Sequence, residues 1–284
     1  MKSFSPLIRA AAFVITVAIA ASSVRAADTP KPIKALLITG GCCHDYENQR
    51  FILKAGLEAR ANVTVDIIYV KDGSTHPALP IYGNPDYAEG YDVIIHDECA
   101  ADVSDPQIIQ DVLKPHQDGI PGVNLHCAMH CYRFGDFSKP LPADAPNAHW
   151  YEYLGLQSSG HGPQEPIAIH FTDQTNAVTI GLADWTTIHE EHYNNVKIWD
   201  TAHVLAHGVQ VIKNGSGEPQ RTNDLVVAWE NIYRGKTRVF STTIGHNNET
   251  VADARYLDLV TRGLLWACDK LDADGRPKPG YAAK

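Results

Sequence analysis

Gly122-Val123-Asn124-Leu125-His126-Cys127-Ala128-Met129-His130 is the stretch on which the reading of this chain turns. Behind Gly119-Ile120-Pro121 it opens as a short apolar run, the pattern of a buried strand. It then stops abruptly at imidazole and thiol side chains. A strand that ends this way and turns into a helix presents those groups at the carboxyl edge of a sheet, where open α/β sheets bind ligands. If Cys127 to Phe134 is helical, His126 and His130 share a face four residues apart, as do Cys127 and Cys131. The stretch is then a nucleophile elbow, a metal site or a polar corner.

Working outward, the same punctuation recurs. Ile33 to Thr39 is an apolar run closed by Gly40-Gly41, a buried strand and its turn. Phe51, Ile52, Ala55 and Leu57 fall at helical spacing within Glu47 to Arg60. Val63 to Val70 is β-branched and reads as the next strand. After a proline-broken loop, Tyr91 to Ile95 is a third strand ending at His96. Ser104-Asp105-Pro106 caps a helix running to Gln117. Strand, helix, strand, helix, strand in this cadence predicts an α/β fold with a doubly wound, mostly parallel sheet.

The second half is less regular. His149 to Leu156 reads as a short helix, and Ile167 to Phe171 as a strand. Thr186 to Asn195 is polar and has no classifiable period. His203 to Lys213, Leu225 to Glu230 and Thr237 to Thr243 are strand candidates, the last two joined by a turn at Tyr233-Arg234-Gly235-Lys236. Ala252 to Leu271 is a terminal helix with Leu257, Val260 and Leu264 on its apolar side, and the tail 272–284 reads as loose.

At the amino end, Lys2 and Arg9 precede an apolar run from Ala10 to Ala21, too short to span a bilayer. Val24-Arg25-Ala26 supplies a small-residue cleavage site, so residues 1–26 are expected to be a signal peptide. Residues 27–32 then form a linker, residues 33–271 one domain, and the product is periplasmic or secreted. Cleavage removes three cations (Lys2, Arg9, Arg25) and no acid, making the mature chain more acidic still than the formal −9 of the whole sequence. An acidic surface disfavours nucleic acid and anionic membranes as partners. With no long apolar run after Ala27, the mature chain is expected to be soluble. Export permits disulfides. No pairing among the six cysteines is assigned, and a bridge between Cys42 and Cys43 is disfavoured, because adjacent cysteines join only with strain.

Three chemistries fit the polar groups. Fourteen histidines are the compositional signal, and His44, His96, His126 and His246 all fall where strands should end. In a parallel sheet such ends share one face. Neutral imidazoles at that face are metal ligands, and zinc sites with three protein ligands keep a place for substrate; no glutamate follows His126 directly, so this is not the zincin pattern. Cys127 at the elbow is a candidate nucleophile, but its flanks are not the small residues such elbows carry. The Glu190-Glu191 pair beside His189 and His192 supplies acid–base groups. No phosphate loop or G-x-G-x-x-G follows the first strand, so no nucleotide is expected.

Several ordered segments together resemble the ThuA-like family, named for trehalose utilisation. They are Leu36-Leu37-Ile38-Thr39-Gly40-Gly41 with His44-Asp45-Tyr46, Tyr91 to Ile95, Asn124-Leu125-His126-Cys127-Ala128, Gly160-His161-Gly162, Glu190-Glu191-His192-Tyr193-Asn194, Val227-Ala228-Trp229 and Gly235 to Phe240 running into Gly245-His246-Asn247. The resemblance spans about Ile33 to Leu271. It implies a flavodoxin-like sheet of the class I glutamine amidotransferase type, without that group's cysteine, which agrees with His126 at the elbow. Two positions depart from the family pattern: Thr175-Asn176 stands for the usual His-Pro, and Glu191-His192-Tyr193 for Glu-Leu-Tyr. Glu191 therefore carries over and His192 does not. The resemblance further implies saccharide catabolism, including 3-keto-glycosides made by a partner sugar oxidoreductase. On this basis His44, His126, His161, Glu191 and His246 are expected to line a catalytic cleft. A divalent metal, zinc or manganese, is expected on His44, His126, His161 and His246, with His130 secondary. The substrate is expected to be a small saccharide.

Overall fold

The computed structural model describes Met1, Lys2 and residues 30–284. The expected signal peptide and most of the linker fall on residues 3–29, outside the described residues. Five strands form a parallel half-sheet: β1 (Ile33–Gly41), β2 (Val63–Val70), β3 (Val93–Cys99), β4 (Gly122–Leu125) and β9 (Thr237–Thr242). Their spatial order is β2-β1-β3-β4-β9, which is the flavodoxin-like order with β9 as the fifth strand. Between the fourth and fifth strands the chain inserts β5 (Leu156–Phe171), β6 (Trp185–Ile198), β7 (Ala202–Lys213) and β8 (Pro219–Tyr233). These extend the sheet antiparallel from β9 in the order β8-β7-β5-β6.

The sheet is therefore mixed rather than mostly parallel. The physical reason is local: the short β7–β8 and β8–β9 connections make antiparallel hairpins, whereas parallel neighbours need a long crossover. The β8–β9 link is three residues, Arg234 to Lys236, with Arg234 (φ 51°) and Gly235 (φ 70°) both left-handed, the conformation that matches strand twist in tight hairpins. The unclassified stretch from Thr186 to Asn195 is part of β6. It shows no alternation because Glu190, Glu191, His192 and Tyr193 are buried in succession, covered on both faces.

Helices cover both faces of the parallel half. Along β1, Ala35 and Leu37 enter one core and Leu36 and Ile38 the other, the two-residue period of a strand buried on both sides. Leu53 and Leu57 of α1 (Tyr46–Glu58) and Leu257, Val260 and Leu264 of α5 (Ala254–Ala267) pack on the first face. Leu113 of α2 (Pro106–Asp118) and Trp150 of α3 (His149–Leu154) pack on the second, with Trp229. Asp105 caps α2 by accepting the Gln107 N–H at 2.8 Å, and Gly119 ends it at φ 114°. A short α4 (Asn248–Val251) precedes α5.

Two expectations are corrected. β3 does not stop at Ile95 but runs to Cys99, so His96 lies inside the sheet and away from the strand ends. Its polarity is satisfied internally: His96 Nδ1 meets Glu98 Oε1 at 2.9 Å, two residues on along the same strand face, and its Nε2 meets His116 Nε2 at 3.1 Å. The tail is not loose either. Leu271 bridges Pro277, Ala61 bridges Ala282, and the Asn62 N–H donates to the Tyr281 carbonyl at 2.9 Å. Among the described residues no helix is long and apolar enough to cross a membrane.

Candidate functional site

The carboxyl ends of β1, β4 and β9 lead into His44, His126 and His246, as the parallel topology requires. Their rings converge, with centroids 4.6 Å apart for His44 and His126, 4.7 Å for His44 and His246, and 5.5 Å for His126 and His246. Glu191 from β6 closes the group. Its carboxylate stands 3.5 Å from His126 Nε2, 3.4 Å from His246 Nδ1 and 3.6 Å from His161 Nε2. Donor atoms of His44, His126, Glu191 and His246 all lie within 4.8 Å of one another.

His126 is the elbow itself. It follows β4 at φ 41°, a left-handed conformation uncommon for a non-glycine residue. It opens a 3-10 turn (His126–His130), not an α-helix. The altered rise takes His130 off the shared face that an α-helical i, i+4 spacing would give it. His130 is buried instead, stacked on Tyr193 at 4.1 Å, with Nε2 2.8 Å from Ser158 Oγ. Burial holds its ring well below the ordinary histidine range. It is not one of the converging donors.

Hydrogen bonds set the tautomers. His126 Nδ1–H donates to the Thr243 carbonyl at 2.7 Å, so Nε2 keeps its lone pair toward Glu191. The Gln164 side-chain amide lies 2.8 Å from His246 Nε2. The amide nitrogen makes that contact and donates, so Nε2 accepts and the ring proton sits on Nδ1, facing Glu191 at 3.4 Å. His44 Nδ1 and His246 Nδ1 are both buried without a hydrogen-bond partner. Buried polar atoms normally have partners, so two orphan nitrogens beside a carboxylate are the donor types that hold a cation.

The electrostatics agree. Burial, with His126 and His246 alongside, holds His44 down at about 2, a neutral imidazole. Burial pushes the Glu191 carboxyl up, but the contacts of His126 and His246 outweigh it and leave the group well below the ordinary carboxylate range. Burial lowers His246, yet Glu191 outweighs it and the ring titrates above its ordinary value. His161 is different: its side chain is 42% exposed, and its Nδ1–H donates to the Gly162 carbonyl at 2.9 Å. It stands at the mouth, against Glu191 but outside the tight donor set. Cys127 is buried, and its hydrogen bond with Cys99 together with burial pushes the thiol well up, the opposite of an activated nucleophile.

Glu190 was not singled out from its neighbour by sequence. Its buried carboxylate accepts the backbone N–H groups of Gly245, His246 and Asn247 at 3.3, 3.0 and 3.4 Å, pinning the loop that carries His246. Successive strand residues face opposite ways, so strand alternation through Glu190-Glu191 would have assigned only one of them to the cluster. Gln164, paired with Glu191 across β5 and β6, had no local signal at all. The vicinal Cys42–Cys43 disulfide is present, against expectation: both residues lie in the turn after β1, where no strand or helix sets their backbone. A cavity of about 1020 Å³ opens far from the cluster, at the amino edge of the parallel strands, lined by Lys34, Asp92, Arg238 and Lys270 among others.

Fold and site together define an α/β protein with a three-histidine, one-carboxylate centre at the carboxyl edge of a flavodoxin-like half-sheet. The chain belongs to the ThuA family, described as trehalose utilisation, whose model matches residues 34–267. Its structure is similar to that of a ThuA-like protein from Parabacteroides merdae (TM-score 0.59, 19% identity, 89% of this chain and 97% of that one). It is also similar to one from Bacteroides uniformis (TM-score 0.58, 15% identity, 91% and 98%). At these identities the likeness establishes the fold. A search of curated proteins found no match.

Proposed function

We propose that this chain is an exported carbohydrate-processing protein that cleaves or isomerises a glycoside or 3-keto-glycoside by histidine–carboxylate acid–base chemistry. In this reading His44, His126, Glu191 and His246 hold a divalent cation, zinc or manganese. One observation carries it: three imidazoles and a carboxylate bring donor atoms within 4.8 Å of one another at the strand ends, and two of the imidazole nitrogens are buried orphans. Nitrogen and oxygen donors of this kind suit either metal. The family's description, trehalose utilisation, supports a saccharide as substrate. A sugar oxidoreductase would supply the keto form.

A cation held there polarises a carbonyl or hydroxyl oxygen of the substrate. The protein's own groups then divide the remaining work. Glu191, with so low a proton affinity, serves better as ligand than as base. His161, exposed at the mouth with Nε2 unprotonated, is the group to take a proton from the carbon beside a ketone and return it to the departing glycosidic oxygen. Thr243 holds the His126 ring and Glu190 holds the His246 loop.

The test is metal analysis of the purified protein, paired with a screen of plain and 3-keto disaccharides. His126→Ala and Glu191→Gln should abolish turnover and bound metal while circular dichroism stays native. Full activity in both variants would sink the proposal. Saturable sugar binding with no product under any metal would mark the chain as a non-catalytic sugar-binding subunit instead.

A further inference from the structure

Behind His44 the chain gathers sulfur. Cys42 and Cys43 are joined by a disulfide, and the free thiol of Cys99 lies with its Sγ 3.4 Å from Cys42 Sγ. The fold builds this contact. Gly41 pairs with Cys99 in the β1–β3 ladder, and a Cβ on Gly41 would collide with the Cys99 carbonyl oxygen. Only glycine allows the two backbones to touch there, and that brings the sulfur of the next residue onto the Cys99 side chain. Cys99, Cys127 and Tyr46 pack as one buried group with Cys42 against it. Cys43, at the other end of the disulfide, is exposed.

We propose that Cys42, Cys43 and Cys99 form a thiol–disulfide exchange site that delivers a reactive thiol to the surface at Cys43. The Cys99 thiolate attacks Cys42 Sγ. A Cys42–Cys99 bond forms as the Cys42–Cys43 bond breaks, and Cys43 departs as a thiolate. Cys99 gives up one proton and Cys43 takes one. The number of disulfides is unchanged, so no oxidant or reductant is consumed. Three features favour the step: the attacked sulfur is the one in contact with Cys99, the leaving sulfur opens to solvent, and the hydrogen bond with Cys127 holds the Cys99 thiol below its usual range against the effect of burial. The exposed Cys43 thiolate is then open to soluble electrophiles. Exchange also changes the tether on His44, because Cys43 immediately precedes it and is held at φ 82°, where non-glycine residues seldom sit.

The experiment treats purified, non-reduced full-length protein with N-ethylmaleimide at pH 8, digests it without reductant and maps the cysteines by mass spectrometry. Exchange predicts a Cys42–Cys99 cross-linked peptide that grows with time, with maleimide on Cys43. Cys99→Ser should lose both signals and Cys127→Ser should keep the cross-link. The wild-type map decides the matter even if a variant fails to fold: a Cys42–Cys43 bond that persists, with or without maleimide on Cys99, overturns the proposal.

Discussion

Glu230 offers a sharp test of how burial is balanced in the antiparallel half of the sheet. It lies on β8 with only 6% of its surface exposed. One carboxylate oxygen accepts from Asn176 Nδ2 at 3.0 Å, and the other has no partner. Burial pushes the carboxyl up to about 7; Asn176, His203 and Arg238 oppose that rise and Asp173 adds to it. Against the ordinary 4.5, the interval corresponds to about 3 kcal/mol at 1.36 kcal/mol per pH unit. The folded state binds this proton more tightly than the unfolded chain. The group's stabilising contribution is therefore complete below pH 4.5 and is lost as pH rises through 7. Glu230→Gln keeps the shape and an oxygen for Asn176 but cannot ionise. Melting curves of both proteins in matched buffers from pH 4.5 to 8.5 give the difference in stability directly. The variant should match the wild type at the acidic end and exceed it by about 3 kcal/mol above pH 7.5, roughly 6–12 °C in Tm for a domain of this size. Parallel curves, or a gap that opens on the acidic side, would refute the reasoning.

Zinc or manganese at one hundred times its Kd should raise the stability by about 2.7 kcal/mol; differential scanning fluorimetry reads this, and a rise that survives in His126→Ala would place the cation elsewhere. Glu190→Gln replaces a carboxylate that accepts three backbone N–H groups and should cost about 2–4 kcal/mol in urea unfolding. It should also lower metal affinity through the displaced His246 loop, and an unchanged midpoint would show that the loop holds itself. Gly263→Ala sets a Cβ onto the Phe240 ring between α5 and β9 and should cost about 1–3 kcal/mol by overpacking. An unaltered denaturation curve would mean that the helix shifts without penalty.

The sequence alone determined the elements whose neighbours are close along the chain. The apolar runs of β1 to β4, the caps of α2 and the hairpin turn at Arg234-Gly235 are local patterns with local causes, and they sufficed for the parallel half and for three histidines at its strand ends. Glu191 and His161 came from the ordered resemblance of segments, not from period or spacing. The tertiary structure decided the rest. The β6 stretch is buried on both faces, so its pattern carried no alternation to read. His96 looked like a strand end because its partners, Glu98 and His116, satisfy it only once β3 and α2 pack together. His130 separated from His126 because a 3-10 turn replaced the α-helix. The tautomer of His126 depends on a carbonyl 117 residues away, and the Cys42–Cys99 contact on a strand pairing of Gly41 with Cys99, 58 residues apart. Periodicity reports which side of a segment is covered, whereas a site depends on what covers it, and that is known only when distant segments meet.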